Sequence, residues 1–420
     1  MKRELLRRIL TLLSGTAAAQ LLPVLTAPII ARQFATAEFG VFGLFVATSA
    51  ICATLANFKY ENAILSARSG AAVRANIGFS ILINSVLGAA IAAGALVAIS
   101  SGWLASVAAP TYLALLLPVS LMLAGMTQSL SNVALRAERF KAVAHSRWAS
   151  AAVAAAFSLL AAFVHPTATA LIAASIAGQA TGFCLLVRTS WFDLGIAPDF
   201  RRSRVNVIAR RHWRFAIFTS PADFLNSLAS NLPALFLGAL YGTTATGAYV
   251  LAQRVVGTPL MLIGSAFSDL YRQMVGQYAA SQRSYWKVTL RMLAVLVPIG
   301  LTVLVAMLAF GKPALVAFLG SHWSLVGDIC EIMIFVYVVR FIVSPLTFSF
   351  YLAHRHVEDL VLQTASAVSV WTVFLVARNH DWPLEHSVKG LAVALTIVYL
   401  IYGVRCIQFS RASLKTAACV

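Results

Sequence analysis

Runs of apolar residues long enough to cross about 30 Å of hydrocarbon as helices recur from one end of this chain to the other. By that length criterion about twelve can be drawn. They lie near Ile9–Gln33, Phe39–Phe58, Asn76–Ser100, Thr111–Leu135, Ala142–Val164, Thr167–Val187, Phe215–Leu240, Thr244–Leu270, Val288–Phe310, Leu325–Phe350, Leu360–Ala377 and Val388–Ile407. None alternates apolar and polar residues as a barrel strand does. In hydrocarbon each backbone N–H and C=O must be satisfied inside the structure, so such runs are helices and the fold class is all-α integral membrane. Composition agrees: 60% of the 420 residues are hydrophobic and 11% charged, outside the range of a soluble domain. The first run follows Lys2, Arg3, Arg7 and Arg8 as a secretory signal would. It is too long for one, contains Pro23 and Pro28, and leads straight into further spans, so it reads as the first helix.

The net charge of +18 suggests nucleic acid until its placement is considered. With a cytoplasmic N-terminus, nearly all Lys and Arg fall in inner segments, including Lys59, Arg68, Arg74, Arg136, Arg147 and the arginine-rich stretch from Arg201 to Arg214. The outer side keeps Arg32, Lys312, Arg378 and Lys389. This asymmetry predicts cytoplasmic termini and no nucleic-acid partner. Cys52, Cys184, Cys330, Cys406 and Cys419 lie in spans or the tail with no paired spacing, and no metal pattern is present.

The longest polar connection divides the chain into a six-helix lobe at 1–190, a basic linker at 191–212, and a second six-helix lobe with a short tail at 213–420. In the linker, Val205, Ile208 and Trp213 sit among arginines. Two readings stand: an interfacial helix gripping anionic headgroups at about 1 kcal/mol per basic residue, or a solvated tether. The lobes share a faint repeat. ATAEFGVF (Ala35–Phe42) aligns with GTTATGAY (Gly242–Tyr249), each a short outer loop entering a helix. An even number of spans per half gives both halves one orientation, as in a two-lobed transporter.

Two arginines are left inside spans. Arg254 lies about ten residues into the eighth, near the midplane at about 1.5 Å per residue, and burying it costs at least about 2.5 kcal/mol. It should therefore face wet space. Arg254, Thr258, Met261, Ser265 and Asp269 form one mostly polar stripe at helical spacing. Pro259 clashes with the carbonyl of Val255, which opens the helix beside the arginine. Arg340 sits at similar depth in the tenth span, shortly before Pro345. The seventh span carries the stripe Thr219, Asp223, Asn226, Ser230. Asp223 either restarts a broken helix as a capping acid at N3 or couples a proton or ion. Two midplane cations facing one anion predict an anionic substrate. In the first lobe, polarity comes from Gln20, Asn84, Gln128, Asn132 and Gln179, which could bond sugar hydroxyls or hold helices together. Lys59 and Glu61 end the second span at the cytoplasmic mouth.

GAYVLAQRVVGTPLMLIGSAFSDLY, within the block Pro221–Met274, resembles the polysaccharide transporters of the MOP superfamily, the Wzx-type O-antigen and exopolysaccharide flippases. LSGTAAAQLLPVLTAPIIARQFATAEFGVFGLF and KYENAIL are similar to that family's first two helices. The resemblance implies two six-helix lobes around a central cavity. Through it the head of an undecaprenyl-diphosphate-linked oligosaccharide passes from the cytoplasmic to the periplasmic leaflet of a bacterial inner membrane. It places the cavity arginine on Arg254. By depth rather than by motif Arg340 is expected as a second contact to the diphosphate, and from their places in the spans Asp223 and Asp269 are expected as coupling or helix-break positions and Gln20, Asn226, Ser230, Thr258, Gln128 and Asn132 as polar cavity residues. No catalytic residue and no cofactor is expected beyond, at most, a coupling ion, H+ or Na+. The chain is expected to act as a monomer among membrane lipids, with a polysaccharide polymerase and chain-length proteins as candidate partners. A MATE-like exporter shares the architecture but needs cavity acids that the first lobe lacks. A membrane-embedded polymerase or ligase would carry a large outer loop with catalytic residues, and the outer loops here are short.

Overall fold

The computed structural model describes residues 19–65, 67, 69–100, 111–214, 216–217, 220–280, 284–353 and 355–418. The N-terminal basic cluster, Arg68 and Thr219 lie outside the described residues. Among the described residues the regular secondary structure is helical, with no strand, and the described parts of the expected spans fall mainly on helices. Nine stretches of the described residues are long and apolar enough to cross a membrane by length and composition. One of these, Asp223–Gly276, is 54 residues long. It is broken at Gly242, whose φ of 83° and ψ of 178° turn the chain where a side chain would be strained. The described residues form two compact units, one ending at Gly247 and the other beginning at Ala248.

In the first unit the helix Thr36–Ala53 runs antiparallel to the segment that begins at Ser220, and small residues set the spacing. A Cβ on Gly40 would lie 1.7 Å from the Thr243 carbonyl oxygen, and one on Gly247 would lie 2.2 Å from that of Thr36. Gly40 and Gly247 are equivalent positions in the octapeptide repeat, as are Thr36 and Thr243. The two copies therefore pack on each other reciprocally. Further along, Gly238 meets Leu44, Ser227 donates to the Ala50 carbonyl at 3.2 Å, and Lys59 reaches Asp223. The helices Phe140–Val164 and Ala168–Val187 pair by the same device, with Gly178 against Ser150 and Ala154, and Ser146 Oγ donating to the Gly182 carbonyl at 2.9 Å. Glu38 accepts the Ala168 N–H and so tends the start of that second helix. The helix Thr36–Ala53 stops five residues before the expected end of its span. From Thr54 the chain turns through left-handed conformations at Phe58 and Lys59, tied down by Asn57 Nδ2 donating to the Gly125 carbonyl at 2.6 Å.

In the second unit a hairpin joins Trp286–Leu319 to Ser324–Val343, turning at Gly320 with φ of 111° and burying Trp323. Leu384–Ala418 packs on both Ser324–Val343 and His356–Asn379. Tyr271 shares its hydroxyl with Thr289 and Ser349, each at 2.9 Å, which joins three segments at one buried polar node. The tenth span loses its α-helical form at Val343, where Ser344–Pro345 opens a tighter turn before the short helix Phe348–Leu352.

Gly40→Ala is expected to destabilise the protein by about 1–3 kcal/mol through forced separation of the two backbones. Gly70→Ala, where nothing lies within 4 Å, serves as the neutral control. Thermal unfolding in detergent measures both, and equal midpoints would contradict the reciprocal contact.

Candidate functional site

Arg254 sits in a five-residue π-helical segment, Gln253–Gly257, inserted immediately before Thr258 and Pro259. The cause is local. Proline lacks an N–H and crowds the carbonyl four residues back, so the turn widens, a form found often at functional sites. Thr258 Oγ1 donates to the Gln253 carbonyl at 3.2 Å and satisfies one of the groups thus exposed. One face of the following helix, Gly257, Leu260, Gly264, Ser268, Tyr271 and Val275, is buried. It packs on Ser324–Val343, Gly257 against Tyr337 and Gly264 against Phe341. The other face carries the polar stripe: Arg254 and Thr258 are half-buried, while Met261, Ser265 and Asp269 are exposed. The stripe is thus turned away from the packing of its own unit. Arg254 has no hydrogen bond or ion pair among the described residues. Asp269 lies 3.9 Å from Arg272 on the same helix.

Arg340 lies on the helix against which that segment packs. It is half-buried and stands 5.7 Å from the Tyr399 ring centroid, a cation–π contact that partly accounts for its presence without a ligand. The Tyr337 hydroxyl nearby is buried without a partner among the described residues.

The first unit holds a cavity of about 660 Å³ whose wall is almost wholly amide, hydroxyl and small side chains. Gln20, Gln128 and Asn132 line it together with Gln179, Thr127, several serines and Arg147. Among the described residues its lining contains no acidic side chain. The Thr127 hydroxyl is buried without a partner among the described residues, and Gln179 bonds Ser120 at 3.1 Å. Asn226 and Ser230 are not part of this wall; Asn226 is exposed and Ser230 half-buried on the helix beginning at Ser220. Asn84 is fully buried and donates to the Met122 carbonyl at 2.9 Å, holding helices together. The sequence places Arg147 among the inner charges, and the structure places it on the cavity wall. The small-residue spacing Ser146, Ser150, Ala154 opposite Gly178 and Gly182 is the signal that places its helix against this wall.

Lys59, Glu61 and Asp223 come together at one end of the unit. Lys59 Nζ lies 2.9 Å from Asp223 Oδ2, so the acid of the first turn, Ser220-Pro221-Ala222-Asp223, answers a lysine rather than a midplane arginine. Glu61 is 3% exposed and its Oε2 has no hydrogen-bond partner among the described residues. Burial raises its pKa above the ordinary glutamate value, against the lowering by its backbone hydrogen bond and by Lys59, while Asp223 adds to the rise. Asn132 Nδ2 donates to the Glu61 carbonyl at 3.0 Å and connects this cluster to the polar cavity.

The chain is similar in fold to an inward-facing multidrug resistance MATE family transporter of the MOP superfamily, with a TM-score of 0.65 at 14% identity over 96% of this chain and 95% of that one. It is similar to the lipid II flippase MurJ in an inward closed conformation, with a TM-score of 0.72 at 11% identity over 95% and 90%. A MOP superfamily transporter from Pyrococcus furiosus Vc1, described as having a binding pocket of reverse polarity, matches with a TM-score of 0.61 at 12% identity over 98% and 96%. At these identities the likeness shows the fold. No sequence among curated proteins matches the chain. Residues 29–327, however, match the family model described as polysaccharide biosynthesis protein. The chain belongs to that polysaccharide biosynthesis family and has the all-helical membrane fold of MOP-superfamily transporters.

Proposed function

We propose that this protein is a flippase that moves oligosaccharide repeat units, O-antigen or exopolysaccharide, linked to undecaprenyl diphosphate. Transport runs from the cytoplasmic to the periplasmic leaflet of the inner membrane by alternating access. The observation that carries this reading is Arg254, a guanidinium at mid-span on an opened helix, on the polar face of its unit and with no protein anion beside it. A charge kept at that depth at a cost of at least about 2.5 kcal/mol needs a ligand that repays it in some state of the cycle. A diphosphate does so, because a guanidinium binds phosphate oxygens in bidentate fashion. Arg340 is proposed as its second contact. The amide and hydroxyl wall of the first unit suits the hydroxyl-rich glycan. Family membership supports polysaccharide chemistry. A drug-exporting role fits less well, since among the described residues a cationic substrate would meet Arg147 and no acid in that cavity.

Glu61 is proposed as the position where a coupling proton would be held, with the Lys59–Asp223 pair responding to it. Its raised pKa gives the sign. Below the ordinary glutamate value the carboxyl is neutral in folded and unfolded chains, and its burial carries no charge penalty. As pH rises through the raised folded value the buried group must ionise, and stability is lost.

In proteoliposomes holding a defined undecaprenyl-diphosphate oligosaccharide, Arg254→Ala is expected to lower leaflet transfer on the order of tenfold or more, the loss of a charge-assisted hydrogen bond. Arg254→Lys should keep partial activity. Normal transfer by the alanine variant would remove the diphosphate role. Gln128→Ala, which takes an exposed amide from the cavity wall, should slow transfer of the glycan-bearing lipid while leaving the melting temperature unchanged; equal rates would argue against that wall as the glycan's path. Glu61→Gln should flatten the fall in thermal stability of the wild-type protein as pH rises above the ordinary glutamate value, and an unchanged slope would show that Glu61 does not set it.

A further inference from the structure

The connection between the two runs of helices is strapped to the first unit. Leu194 and Ile196 pack against a buried cluster of Ile64, Val73, Ile77 and Val133. The Asp199 N–H donates to the Arg74 carbonyl at 2.9 Å, and the Asp199 carbonyl sits where a Cβ on Gly78 would fall, at 2.2 Å. The helix Arg202–Arg214 then buries Ile208 against Tyr60 and Ala75, and Tyr60 donates to the Ala209 carbonyl at 3.3 Å. The opposite side of the same strap is exposed, and it mixes two chemistries. Phe192, Phe200, Val207 and Trp213 are exposed beside exposed Arg201, Arg210 and Arg211.

Next to the strap opens a shallow cavity of about 680 Å³, lined by Arg74, Ala197, Pro198, Asp199, Phe200 and Arg201. Asp199 Oδ1 accepts the Arg201 N–H at 3.0 Å, which fixes the turn that carries Phe200. The Arg74 and Arg201 guanidinium groups have no hydrogen bond or ion pair among the described residues. Arg74 is one turn into the membrane helix Gly70–Ser100, so the cavity lies at the end of a span, at headgroup depth. Two open guanidinium groups beside an exposed phenylalanine form an amphiphilic site.

We propose that this cavity binds an anionic phospholipid, its phosphodiester against Arg74 and Arg201 and its acyl chains running past Phe200 along the exposed apolar side of the strap. Arginine matches phosphate oxygens with a planar fork of donors, and paired cations at a membrane surface favour anionic over zwitterionic headgroups. The exposed apolar residues select a lipid over a free phosphate, because in water they would stay uncompensated.

The test uses the full chain in nanodiscs of phosphatidylcholine with or without phosphatidylglycerol. Lipid retained through gentle detergent extraction is counted by native mass spectrometry, and thermal unfolding is followed in parallel. The wild-type protein is expected to retain phosphatidylglycerol in roughly thirtyfold preference, as two surface cations would give, and to melt higher in its presence. Arg74→Gln/Arg201→Gln should lose both effects while melting as wild type does in phosphatidylcholine, and Arg74→Lys/Arg201→Lys should keep most of the preference. Should the glutamine variant fail to fold, salt decides with the wild-type protein alone: at 1 M KCl, where screening acts within about 3 Å, the preference should collapse. Preference that survives the glutamine substitutions or high salt overturns the proposal. So does equal stabilisation by inorganic phosphate, which would make the site a simple anion site.

Discussion

Helices in hydrocarbon gain nothing by hiding apolar surface from one another, since lipid is as apolar as leucine. What holds this fold together must come from close backbone approach and from side-chain amides and hydroxyls bonded across helices, and the first unit shows both. Gly40 and Gly247 let the two copies of one octapeptide touch backbone to backbone. Asn57, Asn84 and Ser146 each donate to a carbonyl of another helix. Each such bond contributes only about 0.6 kcal/mol, so geometry does more than any single one of them. The Gly40 and Gly247 contacts also bring the start of the second span against the turn at Gly242, which in turn aligns Ser227 with Ala50 and Asp223 with Lys59. The ion pair at one end is thus positioned by contacts between glycine and backbone at the other.

Most of this architecture was legible in the sequence because membrane helices announce themselves by length and apolarity. The places where reading and structure differ are places where backbone chemistry overrides apolar content. The second span looks continuous to Phe58, yet the helix ends at Ala53 because Asn57 binds a neighbouring helix and Phe58 and Lys59 take left-handed conformations. The tenth looks continuous to Phe350, and Pro345 divides it. The octapeptide repeat, weak as a sequence signal, becomes a reciprocal contact that no pattern of hydrophobicity encodes.

The candidate site was legible where a charge sits at the wrong depth and obscure where it sits at an ordinary one. Arg254 stands out because the run from Tyr249 to Ala266 carries no other charge, and Pro259 marks the opened helix beside it. Arg147 follows Ser146 at what reads as the inner end of a span, where arginine is unremarked, and only the packing of Phe140–Val164 against Ala168–Val187 brings it to the polar wall with Gln128 and Gln179. Residue type also misleads. Asn84, Asn132 and Gln128 look alike in sequence, but the first is an adhesive, the third is free to meet a ligand, and Asn132 is both wall and tie to Glu61.

That double use of Asn132 gives the first unit a physical route between its cavity and its buried carboxyl. Anything that pulls the Asn132 amide toward a ligand weakens its hold on the Glu61 carbonyl, and the segment from Phe58 to Glu61 already contains two residues in conformations that cost energy. The tie therefore joins the cavity wall to the turn that carries Lys59 and Glu61, and a ligand that draws on the Asn132 amide acts on the same side chain that holds this strained turn in place.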